Sequence, residues 1–158
     1  MNVWEEHPEP LAGKIVIDTN NYSPERDGHI PELDDESTTT AELLAGHLGS
    51  ARVVKGFNNI YFRHLGALGR PAGSADRSAL AIAGDDAASK ATVTAFLDDI
   101  GYDAVDLGPL AEGWRTQRDT AAYAGLYGPF DNPSGAPGDA ASIRAAAARS
   151  RRYADSTA

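Results

Sequence analysis

Lys14-Ile15-Val16-Ile17-Asp18, followed at once by Thr19-Asn20-Asn21, decides the fold. A run of β-branched apolar residues without polar alternation reads as a strand buried on both faces, the kind found in parallel sheets. Pro24 forbids easy continuation. The pattern recurs at Arg52-Val53-Val54-Lys55-Gly56-Phe57-Asn58-Asn59, a short strand again ending in paired asparagines. A third run, Ala79 to Ala83, closes on Gly84-Asp85-Asp86, and a fourth, Tyr102 to Leu107, closes on Gly108-Pro109-Leu110.

Helical patterns separate these runs. Thr39 and Glu42 have capping-box spacing, Ala41, Leu44, Ala45 and Leu48 then line one face, and Gly49 supplies a stop. Residues 60–69 suit a short helix. Asp85 or Asp86 can cap a helix whose apolar face carries Val93, Phe96, Leu97 and Ile100, ending at Gly101. Residues 111–128 are expected to be helical, with Trp114, Tyr123 and Tyr127 read as core. Residues 140–152 suit an alanine-rich helix with a thin apolar face. Strands alternating with helices predict an α/β domain with a mainly parallel sheet. The division expected is a domain over 1–128, opening on a lead-in loop over 1–13, then a Pro/Gly-rich linker over 129–139 and a C-terminal helix and tail over 140–158.

The chain has 158 residues and a net charge of −9, a poor match to a phosphate backbone, so nucleic acid is not expected as a partner. Charge is uneven. Residues 1–36 carry ten acids against two bases, whereas residues 140–158 carry four arginines against Asp155. No cysteine is present, which removes disulfides and thiolate chemistry. No apolar run reaches membrane-spanning length, and no stretch reads as a signal peptide, so a cytoplasmic location is the default expectation. His7, His29, His47 and His64 lack metal-ligand spacing, so no metal site is expected. There is no P-loop, no Gly-x-Ser-x-Gly elbow and no Gly-x-Gly.

Open α/β sheets bind ligands beyond the carboxyl ends of their strands. Thr19, Asn20 and Asn21, then Lys55, Phe57, Asn58 and Asn59, then Gly84 and Asp85, then Gly108 and Pro109 occupy those positions. Asparagine amides offer donors and acceptors without charge, which suits a carboxamide or a ribose. The same residue types also make turns and caps after strands.

In order along the chain, KIVIDTNNY, RVVKGFNN, IAGDD before a helix, and YDAVDLGPLAEGW resemble the later part of the F-420-dependent NADP reductase family, over about residues 10–128. They are also similar to the oxidoreductase domain of six-transmembrane ferric reductases. The resemblance implies a Rossmann-type fold, NADP as one cofactor, and coenzyme F-420 or a flavin as its hydride partner. It places Thr19, Asn20 and Asn21 near the nicotinamide. Lys55, Phe57 and Asn58 match a Lys-x-Phe-Asn pattern, with Gly56 where alanine is usual. Asp106, Gly108, Pro109 and Leu110 match an Asp-x-Gly-Pro-Leu turn bordering the hydride acceptor. No catalytic side chain is implied, since the cofactors carry the chemistry. Family members begin with a strand, a glycine fingerprint and a helix, so the expectation is a chain lacking the first mononucleotide-binding half. Either the gene start is misassigned or the gene truncated, or the fragment works with another chain. The open KIVID edge suggests a homo-oligomer. A non-catalytic remnant or interaction module that kept the sheet is the competing expectation.

Overall fold

The computed structural model describes residues 9–152. Most of the lead-in loop, with His7, and the last residues of the tail, with Asp155, lie outside the described residues. The four strands are β1 (Ile15–Asp18), β2 (Arg52–Gly56), β3 (Ala79–Gly84) and β4 (Asp103–Asp106). They form one sheet in the order β1-β2-β3-β4. The β1–β2 and β3–β4 pairs are parallel, and the central β2–β3 pair is antiparallel, with Lys55 opposite Ala83. The fold is mixed α/β with a mostly parallel, Rossmann-like sheet.

The helices are α1 (Pro24–Asp27), α2 (Pro31–Asp34), α3 (Thr40–Leu48), α4 (Phe62–Ala67), α5 (Ala87–Asp99) and α6 (Ala140–Arg149). The capping box starts α3: Thr39 accepts from the Glu42 N–H, and the Glu42 carboxylate accepts from the Thr39 N–H. Asp86 caps α5 by accepting from the Ser89 N–H. Val53 and Val54, adjacent in β2, point to opposite faces. Val53 packs with Ala41, Leu48 and Leu110, while Val54 packs with Val93 and Leu97. The thin face of α6, Ile143, Ala146 and Ala147, is buried, and the helix packs on β3 and β4.

Three expectations are corrected. β1 is an edge strand whose Ile15, Val16 and Ile17 are only half-buried, because no strand among the described residues flanks it. On α5, Phe96 and Ile100 are 46% and 39% exposed. The helix turns Ser89, Val93 and Leu97 to the sheet instead, and Phe96 reaches only the Phe57 ring, 6.2 Å away. Residues 111–128 form two 3-10 turns, Leu110–Thr116 and Ala124–Tyr127, rather than one α-helix. Between them Asp119 takes a left-handed backbone (φ 69°), which breaks the helical path. Trp114 and Tyr127 are nonetheless buried.

Candidate functional site

The carboxyl ends of β1 and β2 meet around one buried ion pair. Asp18 ends β1 and Lys55 lies opposite it in register. Their charged atoms are 2.8 Å apart, with both side chains almost fully buried. Lys55 Nζ also donates to Thr40 Oγ1 (3.1 Å) and to the Asn20 carbonyl. All three ammonium protons are thus engaged. Burial pushes the Lys55 ammonium below its ordinary value, while Asp18 pulls the other way. The second Asp18 oxygen accepts from the Asn20 N–H (3.0 Å) and from Asn20 Nδ2 (2.9 Å). Lys55 and Asp18 therefore hold Asn20 from below, and Asn20 itself stays exposed.

A second network ties the asparagines across the strands. Asn21 Nδ2 donates to the Asn58 carbonyl (2.8 Å), and Asn58 Nδ2 donates to Asn21 Oδ1 (3.1 Å). Asn58 Nδ2 also reaches the Thr116 carbonyl at 2.9 Å, and Thr116 Oγ1 donates to Asn58 Oδ1 at 3.2 Å. Asn59 is fully buried and donates to the Ala122 carbonyl. Phe57 has a left-handed backbone (φ 64°), a strained state for a bulky side chain.

Above this floor lies a hollow of about 510 Å³, lined in part by Asn20, Asn21, Tyr22, Thr40, Leu43 and Leu44. Ile30, Leu33, Leu43 and Leu44 give it apolar surface, Asn20, Asn21 and Thr40 give uncharged polar groups at the strand end, and Arg26, Asp27 and His47 also line it. Such a mixture offers apolar contact and hydrogen bonds to a small ligand. A hollow of about 440 Å³ adjoins it, sharing Tyr22 and Leu33 and reaching Trp114, Gln117 and Arg118. The Arg115 and Arg152 guanidiniums lie over the Trp114 ring, 4.5 Å and 4.9 Å from its centre.

Asp106, Gly108, Pro109 and Leu110 are elsewhere. They lie at and just past the end of β4, the edge strand opposite β1, where Asp106 lies level with Gly56 through Ile82; because β3 and β4 run antiparallel to β2, the chain beyond Asp106 runs toward the start of β2. The turn there is tied by its own bonds. Lys90 pairs with Asp106 at 2.8 Å, the Gly108 N–H donates to Asp106, and the Leu110 N–H donates to Asp85. The structure thus brings together Asn20, Asn21, Lys55 and Asn58, sets Thr19 exposed beside them and Phe57 in the bend just after β2, and places the Asp106–Leu110 turn beyond β4, at the opposite edge of the sheet. Within the first group Lys55 and Asn58 are buried and serve as supports, leaving Asn20 and Asn21 to face a ligand. Thr40, Trp114, Gln117 and Arg118 were not singled out as site residues. They are brought in by the turn of α3 and by the chain crossing back after β4, which strand-end reasoning does not reach.

No family model and no curated protein matches the chain. Solved structures do. A protein of Arthrobacter sp. FB24, described as a "putative f420 dependent nadp-reductase", shares 32% identity over 66% of this chain and 47% of its own, with a TM-score of 0.51. The chain resembles the F-420-dependent NADP reductases. A hypothetical protein, SMa0349, from Sinorhizobium meliloti shares the fold, with 24% identity, coverage of 69% and 52%, and a TM-score of 0.56. The chain spans about half the length of these structures.

A reductase of that description needs a place for a dinucleotide pyrophosphate, normally a free helix N-terminus behind a glycine-rich turn. None is found among the described residues. α5 follows β3 directly, but its first N–H groups face the Asp86 carboxylate, with Asp85 beside it. α4 is a short helix that opens at Tyr61 behind buried Asn58 and Asn59. The described residues do not fit the pyrophosphate. Among the described residues no helix is long and apolar enough to cross a membrane.

Proposed function

We propose that the chain belongs to an NAD(P)-dependent oxidoreductase resembling the NADPH-dependent F-420 reductases, in which hydride passes between NADPH and a deazaflavin or flavin. Within it, the carboxyl ends of β1 and β2 form the wall that receives a redox ring. The observation that carries this reading is the Asp18–Lys55 pair holding exposed Asn20 at the floor of a hollow sized for a ring system. A bound deazaflavin or flavin would supply the hydride-accepting carbon. This chain's residues bind and orient: Asn20 presents its amide, Asn21 braces the wall through Asn58, Thr40 and Lys55 fix the floor, and Leu43 and Leu44 give it apolar surface. The turn from Asp106 to Leu110 is assigned a separate place, beyond β4 at the far edge of the sheet.

A second reading, a non-catalytic module that kept the sheet without the dinucleotide site, is favoured by the acidic start of α5 where a phosphate cradle would be needed. Equilibrium titration separates the two. The wild-type chain is titrated with F-420, with FMN and with NADPH, following fluorescence. The oxidoreductase reading expects saturable F-420 or FMN binding and weak or absent NADPH binding to this chain alone. Failure of both ring ligands to bind supports the module.

A further inference from the structure

Folding leaves one aromatic row uncovered. At the start of α4 Phe62 is 69% exposed, and on the loop before α6 Phe130 is 58% exposed. Tyr61 joins the two. Its ring centre lies 4.7 Å from that of Phe62 and 5.2 Å from that of Phe130, edge to face in both cases. Scattered exposed apolar residues need no explanation, but three rings in contact mark a surface that another molecule can cover.

The row is held from beneath. Tyr61 also meets the ring of fully buried His64 at 5.3 Å, and His64 Nε2 lies 2.8 Å from the Asn132 carbonyl, which ties the loop carrying Phe130 to α4. A partner therefore meets rings already fixed in place, and little side-chain entropy is lost on docking.

Opposite charges close the two ends. Arg63 follows Phe62, with its guanidinium 5.8 Å from the centre of that ring, and Asp131 follows Phe130. Both are exposed, and among the described residues neither has an ion-pair partner. The order is cation, Phe62, Tyr61, Phe130, carboxylate. Such a row complements itself. A half-turn about an axis near Tyr61 sets Arg63 against the partner's Asp131 and Phe62 against the partner's Phe130, and the reverse contacts follow by symmetry. The net charge of −9 disfavours an anionic lipid surface. It also opposes two copies at long range, and the crossed Arg63–Asp131 pairs supply attraction where the copies touch.

We propose that Tyr61, Phe62 and Phe130, flanked by Arg63 and Asp131, form a docking surface for a second copy of this chain, in a two-fold dimer that does not use the β1 edge. The proposal is independent of the ring-binding reading, because none of these residues lines the Asn20 hollow. A row of this size stands at the small end of protein interfaces, so the dimer is weak and its population follows concentration.

Sedimentation equilibrium of the full chain over a wide range of concentration tests this. The wild type should dimerise as concentration rises. Phe62→Ser with Phe130→Ser should raise the dissociation constant about tenfold or more, since a few anchor residues carry most of an interface's energy. Both positions are exposed, and circular dichroism checks that the variant stays folded. Arg63→Asp alone sets two pairs of carboxylates face to face and should weaken the dimer. Asp131→Arg alone should do so through two pairs of guanidiniums. The two changes together exchange the charges and should restore association. A wild type that stays monomeric at every concentration overturns the proposal and leaves the row to a different protein. A dimer undiminished in the folded double-serine variant also overturns it and moves the contact elsewhere, the β1 edge included. Single charge changes that weaken the dimer without recovery in the exchanged pair overturn the two-fold arrangement.

Discussion

At the residue scale, Lys55 shows how position in a sequence understates a role. It stands at a strand end among polar residues and reads as a ligand contact. The structure buries it and spends each of its protons on Asp18, Asn20 and Thr40. Removing one member of a buried pair leaves a charge without compensation. Lys55→Met is therefore expected to destabilise the fold by about 3–5 kcal/mol in denaturant unfolding, and the double change with Asp18→Asn should recover part of that loss. The opposite case is Gly56. Its backbone is not left-handed, and a Cβ there meets Ile17 and Ile82 at 3.6 Å and the Ala81 carbonyl at 3.9 Å, ordinary contact distances. Gly56→Ala should raise stability by about 0.4–1 kcal/mol, seen as a higher melting temperature.

Two buried tyrosines set the alkaline limit. Tyr127 donates to the Ala79 carbonyl (2.8 Å) and Tyr102 to that of Leu65 (2.7 Å). Burial raises both phenols, Tyr102 to about 12. The folded state therefore holds protons that the unfolded chain releases near its ordinary value of 10.0. This stability is complete below pH 10 and falls as pH rises from about 10 toward 12. Unfolding free energy followed across that window should decline in the wild type and decline less in the variant carrying Tyr102→Phe and Tyr127→Phe.

At the element scale, the signals that were legible are those with a local cause. The capping box at Thr39 and Glu42 needs only four residues and occurs as read. Asp86 at the start of α5 is equally local. Asp86→Ala should cost about 1 kcal/mol, measured by thermal or chemical unfolding. Features that were not legible depend on what an element meets. The spacing of Val93, Phe96, Leu97 and Ile100 describes an apolar face, yet only the part of the helix over β2, β3 and β4 is covered. Residues 111–128 hold residues that suit a helix, but the chain there must cross from Leu110, beside Val53, to Thr116, beside Asn58. The first 3-10 turn makes that crossing, and the left-handed Asp119 then redirects the chain before the second turn.

At the scale of the whole molecule, the sheet separates the candidate site into two, because β1 and β4 are its opposite edges. Strand content and carboxyl-end chemistry could be read from the apolar runs and their asparagines. Direction could not, because antiparallel β2 and β3 are joined through α4 and a loop long enough for either sense. The register puts Asp106 level with Gly56 on the edge strand farthest from β1, and the turn then runs toward the start of β2, away from Asn20. The asparagine group was legible in composition; the neighbouring hollow that reaches Trp114 and Arg118 depends on contacts between residues nearly a hundred positions apart, such as Arg118 with Ser23.

The most direct test follows from that separation. F-420 fluorescence is titrated against the wild type, Asn20→Ala and Asp106→Ala under one set of conditions. A ring held at the carboxyl ends of β1 and β2 predicts saturable binding that Asn20→Ala weakens about tenfold, the cost of one well-placed hydrogen bond, while Asp106→Ala leaves it unchanged. Equal affinity in the wild type and Asn20→Ala, with loss in Asp106→Ala, would contradict it and move the site to the β4 edge of the sheet.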